Sequence, residues 1–111
     1  MSQSKLAVVA SAPQYTVADL ATMVYPSDRY PLLIVARTRK VLTVARLDVD
    51  NLPEHVSRWP VVDWILTLEE AVARVTDRLD TAQLHRDGKY WMNGCCPVAF
   101  GRARYYRDWS D

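Results

Sequence analysis

Two apolar runs separated by three residues constrain this chain more than any other feature. Pro31-Leu32-Leu33-Ile34-Val35-Ala36-Arg37 and Val41-Leu42-Thr43-Val44-Ala45-Arg46-Leu47-Asp48-Val49 are rich in β-branched side chains and are joined by Thr38-Arg39-Lys40. Branching at Cβ suits the pleated strand, and a short polar link suits a reversal. The pattern predicts a hairpin over 31–37 and 41–49 with Arg39 and Lys40 at its tip.

Other segments read by the same logic. Lys5 to Ala10 is a short apolar run bounded by Ser11 and Pro13, which predicts a buried strand. Thr16 can cap the stretch that follows, Asp19 falls in its first turn, and Val17, Leu20, Ala21 and Val24 share one helical face, which predicts a helix over 16–25 stopped by Pro26. Thr67-x-x-Glu70 has the form of a capping box, and Leu68, Ala71, Val72, Val75 and Leu79 follow helical spacing, which predicts an amphipathic helix over 68–79 with a Glu70–Arg74 pair on its solvated face. Asn93-Gly94 marks a two-residue turn within a strand region over 89–100, and residues 102–107 read as a last strand burying alternate side chains. Pro53 to Arg58 fits a single helical turn, Val61 to Leu66 a strand or a helical lead-in, and Asp80 to Gln83 the cap of a short helix ending at Gly88. The expected architecture over residues 1–111 is one α+β domain, a small mainly antiparallel sheet packed against two helices.

Composition agrees with a single domain. The 111 residues are 50% hydrophobic and 24% charged, enough for one core without a disulfide or metal. No stretch approaches the ~20 apolar residues of a membrane span, and Met1 to Lys5 is polar with no apolar region of a leader behind it, so a cytoplasmic protein with no membrane partner is expected. Basic residues are mostly Arg, the usage expected of a GC-rich bacterial genome or a mobile element within one.

The formal net charge of +1 conceals segregation. Residues 29–46 hold Arg29, Arg37, Arg39, Lys40 and Arg46 without an acid; residues 48–80 hold eight acids and three bases; residues 85–107 return to basic. Lys89, Trp91, Arg102, Arg104, Tyr105, Tyr106, Arg107 and Trp109 form the densest concentration of functional residue types. Guanidinium and aromatic groups dominate hot spots of protein interfaces, which implies an unidentified protein partner. Arg37, Arg39 and Lys40 with Arg102, Arg104 and Arg107, within segments 37–46 and 86–107, would instead neutralise phosphates, the alternative of nucleic-acid binding. Against both stands a bland reading, in which these tyrosines and tryptophans belong to the core and its margin. Strand edges left uncovered would suit a homodimer.

Signs of catalysis are few. Cys95 and Cys96 are adjacent, so a bridge between them would close no long loop and cannot act as a scaffold. Either thiol could act as a nucleophile beside His85 or His55, the remaining alternative of a cysteine-dependent enzyme, although no spacing brings them together. Two Cys and two His without C-x-x-C or H-E-x-x-H spacing imply no metal, and the absence of phosphate-loop glycine motifs implies no nucleotide cofactor. Asp63, in an apolar run beside Trp64, is expected to pair with an arginine. The expectation is a small non-enzymatic accessory protein, an adaptor or inhibitor, binding through its C-terminal surface.

Overall fold

The structure, a computed structural model, describes residues 14–110. Its strands are β1 (Leu20–Val24), β2 (Arg29–Arg37), β3 (Val41–Leu47), β4 (Ser57–Arg58), β5 (Val61–Leu66), β6 (Val75–Leu84), β7 (Tyr90–Met92), β8 (Cys96–Phe100) and β9 (Ala103–Asp108). The α-helix α1 (Leu68–Ala73) is the one α-helix among the described residues.

The β2–β3 hairpin forms as its composition predicts, and Thr38 fixes its tip. The backbone N–H of Thr38 donates to the Val41 carbonyl at 2.8 Å, and its hydroxyl accepts from the Val41 N–H at 3.0 Å. From this hairpin the sheet continues in the order β1-β8-β7-β6-β3-β2, and β2 pairs back onto β1, so six antiparallel strands close a small barrel. Three more strands leave the barrel where Tyr106 of β9 pairs with Arg29 of β2: β5 pairs along β9, and β4 borders β5.

This topology explains why β2 is apolar without alternation. Leu32 and Ile34 point into the barrel with Met23, Leu42, Val44, Met92, Cys96 and Val98, while Leu33 points the other way against Trp64, Leu66, Val72 and Tyr105. A strand covered on both faces reads as a continuous hydrophobic run. Each fully buried Leu, Ile or Met contributes about 1.5–3 kcal/mol, so the two cores together hold the barrel and its added sheet as one unit.

The expected α+β architecture is overturned: the described residues form a six-stranded barrel with three added strands and one short helix, and no sheet packed on two helices is found among them. The helix expected over 16–25 is a single 3-10 turn, Val17–Asp19, followed by β1. Thr16 and Asp19 do form a capping box, but Leu20 to Val24 lie between β2 and β8, whose ladders satisfy their backbone groups. The helix expected over 68–79 ends at Ala73, and Val75 begins β6. Its capping box is present, yet β3 requires a partner strand, and β6 supplies it from Val75 opposite Leu47 to Gln83 opposite Val41. Leu79, placed in the core by helical spacing, is 41% exposed. The short helix expected after Asp80 is part of the same strand. Arg74 does not pair with Glu70; it caps α1, donates to the carbonyls of Asp48 and Asn51, and lies 4.7 Å from the Trp64 ring centroid.

The segment 89–100 is two strands, β7 and β8. Asn93 (φ 54°) and Gly94 (φ 70°) make the turn between them, with the Cys95 N–H donating to the Met92 carbonyl at 3.1 Å. Pro97 sits where β8 passes from pairing with β7 to pairing with β1, so its missing N–H interrupts no ladder on the β1 side. Segment 102–107 becomes β9 with Ala103 and Tyr105 buried, and Val61 to Leu66 is a strand. The strand expected over 5–10 lies outside the described residues. No helix among the described residues is long and apolar enough to cross a membrane.

Candidate functional site

The candidate site is built where the β4–β5 hairpin tip meets the end of β9. Arg58 pairs with Val61, which leaves Trp59 and Pro60 as the turn, joined by a cis peptide bond. The backbone N–H of Trp109 donates to the Pro60 carbonyl at 2.9 Å. Just beyond, the Asp108 carboxylate accepts from the Ser110 N–H at 2.9 Å and from its hydroxyl. The Ser110 hydroxyl and backbone hydrogen bonds hold the Asp108 carboxyl below its usual pKa. These local bonds fix the direction in which Trp109 leaves the strand.

The result is a layered stack. The Trp59 and Trp109 rings lie 5.5 Å apart with 19° between planes, and the Arg107 guanidinium lies 4.8 Å from the Trp109 ring centroid on β9. Arg107 is also 3.7 Å from the Asp28 carboxylate. Trp59 is 77% exposed and Trp109 is 40% exposed. A stacked pair contributes roughly 0.5–1.5 kcal/mol and an exposed cation–π contact about 0.5–1 kcal/mol, which favours the stacked orientation of the rings.

Around the corner, the outer face of β5 and β9 carries Asp63, Ile65, Arg104 and Tyr106 in adjacent register. The Arg104 guanidinium binds both Asp63 oxygens, at 2.8 and 2.9 Å, and lies 5.0 Å from the Tyr106 ring centroid. The hydrogen bonds to Asp63 push the Arg104 pKa up. The arginine partner expected for Asp63 is thus present, although the pair lies at the surface and not in the interior. Ile65 is 52% exposed beside it.

The sequence-predicted residues divide into several places. Arg104, Tyr106, Arg107 and Trp109 lie on the β5–β9 sheet, and Arg102 is exposed just before it. Tyr105 is buried in the core between the added sheet and the barrel. Lys89 and Trp91 are elsewhere: the sheet order separates β7 from β9 by β6, β3 and β2. There the Trp91 ring stacks on His85 and its N–H donates to Asp87 at 3.1 Å. The Lys89 backbone N–H and the Trp91 indole N–H lower the Asp87 pKa.

Of the basic residues, Arg37 pairs with Asp19 at 3.2 Å, Arg104 with Asp63 and Arg107 with Asp28. Arg46 pairs with Asp80 at 2.6 Å. Arg39, Lys40 and Arg102 are exposed and have no carboxylate partner among the described residues. The cysteines lie apart from both histidines in the fold, Cys95 in the β7–β8 turn and Cys96 at the start of β8, whereas His85 lies in the β6–β7 turn and His55 beside β4.

Sequence reading missed Trp59. Its signal was the Trp59-Pro60 pair just ahead of the apolar run Val61 to Leu66, a break position where an indole has no interior to enter. No family model matches the chain, and neither the curated proteins nor the solved structures give a match.

Proposed function

We propose that the protein is a small binding module that recognises a protein partner through the Trp59–Trp109–Arg107 stack. The observation that carries this reading is Trp59, a large apolar side chain exposed at 77% and held in position by a second indole. A rigid, exposed tryptophan loses little entropy when covered, and Trp and Arg are the residues that most often dominate interface energy. Pairing of Arg37, Arg104 and Arg107 with carboxylates favours a protein over nucleic acid, because a paired guanidinium releases fewer counterions from a phosphate backbone.

The test is affinity capture from lysate of the source cells with three immobilised proteins: wild type, Trp59→Ala/Trp109→Ala, and Leu84→Ala as a distant exposed control. Circular dichroism establishes that each is folded. The expected result is a protein retained by wild type and control and lost from the double variant. Identical retention by all three would remove the stack from recognition.

A further inference from the structure

We infer that Cys95 and Cys96 form a reversible dithiol–disulfide site that reacts with low-molecular-weight disulfides of the glutathione class. The site lies where the β7–β8 turn enters β8, away from the tryptophan stack, and does not depend on the binding role proposed for that stack.

Successive side chains of a regular strand point to opposite faces, which would hold the two sulfurs apart. Here the turn closes with the Cys95 N–H on the Met92 carbonyl, yet the ladder begins with Met92 opposite Cys96. Cys95 is therefore one residue extra, a local bulge, and its side chain is free to fold back. The two Sγ atoms lie 2.9 Å apart. Cys95 is exposed, whereas Cys96 is buried in the barrel wall.

That division assigns the order of reaction. Burial pushes the Cys96 thiol up to about 11, with further contributions from hydrogen bonding and charge at Cys95, while Tyr25 and Arg46 act in the opposite direction. Cys96 is thus a poor first nucleophile, and Cys95 is the thiol a solute can reach. The Cys95 thiolate attacks one sulfur of oxidised glutathione, forming a mixed disulfide and releasing one glutathione thiolate. Cys96 then gives up its proton and attacks Cys95 Sγ, displacing the second glutathione, which takes up that proton. Two protein thiols are oxidised by two electrons, and one disulfide is reduced to two thiols.

The product is suited to reversal and not to stabilising the fold. Adjacent Cα atoms are about 3.8 Å apart across a trans peptide, below the roughly 4.4–6.8 Å of relaxed disulfides. Such a bond is strained and easily reduced, and it closes no loop that would restrict the unfolded chain.

The experiment is intact-protein mass spectrometry of the full chain after treatment with oxidised glutathione and then iodoacetamide under native conditions. Wild type is expected to lose two hydrogen atoms, carry neither glutathione nor alkyl group, remain monomeric by non-reducing electrophoresis, and recover both thiols with dithiothreitol. Cys96→Ala is expected to retain glutathione at Cys95, and Cys95→Ala to resist both reagents until denatured. A wild-type chain that keeps the glutathione adduct, joins a second chain through a disulfide, or remains reduced overturns the proposal. Should Cys96→Ala fail to fold, the wild-type time course still decides: the mixed disulfide must rise and then decay into the bridged form.

Discussion

The hydroxyl of Thr22 accepts the backbone N–H of Arg104 at 3.0 Å, joining barrel strand β1 to the first half of β9. The same hydroxyl donates to the Arg102 carbonyl at 2.6 Å, so a single buried side chain replaces a ladder where β9 crosses β1. Thr22 is 5% exposed. Thr22→Val keeps the shape and leaves both backbone groups unpaired, which is expected to cost about 1–3 kcal/mol. Thr22→Ser, which keeps the hydroxyl, is expected to recover most of that. Urea denaturation of the three proteins checks it, and equal midpoints for the Val and Ser variants would show that the hydroxyl does not join the strands.

Tyr105 and Trp59 are both aromatic residues of the added sheet, and their burial predicts opposite behaviour. Tyr105 is 6% exposed and packs 5.8 Å from Tyr30, centroid to centroid. Tyr105→Ala is expected to cost about 3–5 kcal/mol, as for other large aromatic truncations in a core. Trp59→Ala loses a surface stack and is expected to cost only about 0.5–1.5 kcal/mol. A thermal melt distinguishes the two. A large loss for Trp59→Ala would assign that residue to the fold and withdraw it from recognition.

Alkali is expected to loosen the barrel in a defined window. Cys96 titrates from 9.0 in an ordinary environment to about 11 in the fold, because burial favours its neutral form. A group whose folded pKa is raised contributes stability below the unfolded value, and that contribution is lost as pH rises through the folded value. Burial also raises Tyr25, which faces Cys96 and Arg46 at the same place. Stability followed by urea denaturation should therefore fall between pH 9 and 11, and less steeply in Cys96→Ala. An unchanged slope in the variant would exclude Cys96 as a contributor.

Legibility in the sequence followed how each element is stabilised. The β2–β3 hairpin and the Asn93-Gly94 turn could be read because residue type alone favours them: branched side chains in the strands, and residues that accept positive φ at the turn. The strand β6 could not. Ala82 is its one buried residue, Leu79 and Leu84 are exposed, and polar residues occupy both faces, so no period of two is visible. Its conformation comes from pairing with β3 and from the Arg46–Asp80 pair and the Thr76 hydroxyl bond to the Arg46 carbonyl. A helical pattern that happened to run through Val75 and Leu79 concealed it. The site was partly legible for a similar reason: Arg107 and Trp109 stand out in composition, whereas Trp59 reaches Trp109 through a backbone bond to Pro60 that no local pattern announces.

Charge pairing sets the last expectation, for nucleic acid. The sequence places Arg37, Arg39, Lys40, Arg102, Arg104 and Arg107 in two basic segments, but Arg37, Arg104 and Arg107 each lie against a carboxylate. A phosphate would have to displace Asp19, Asp63 or Asp28, and the freed carboxylate would then repel the strand. Fluorescence anisotropy with labelled single-stranded and duplex oligonucleotides is expected to show no binding at micromolar protein in physiological salt, and only a weak signal at low salt. Removing the acid should matter more than removing the base: Asp63→Asn leaves Arg104 unpaired and is expected to raise that low-salt signal, with a steeper salt dependence. Tight wild-type binding that Trp59→Ala abolishes would instead make the indole stack a platform for bases and move the proposed partner from protein to nucleic acid.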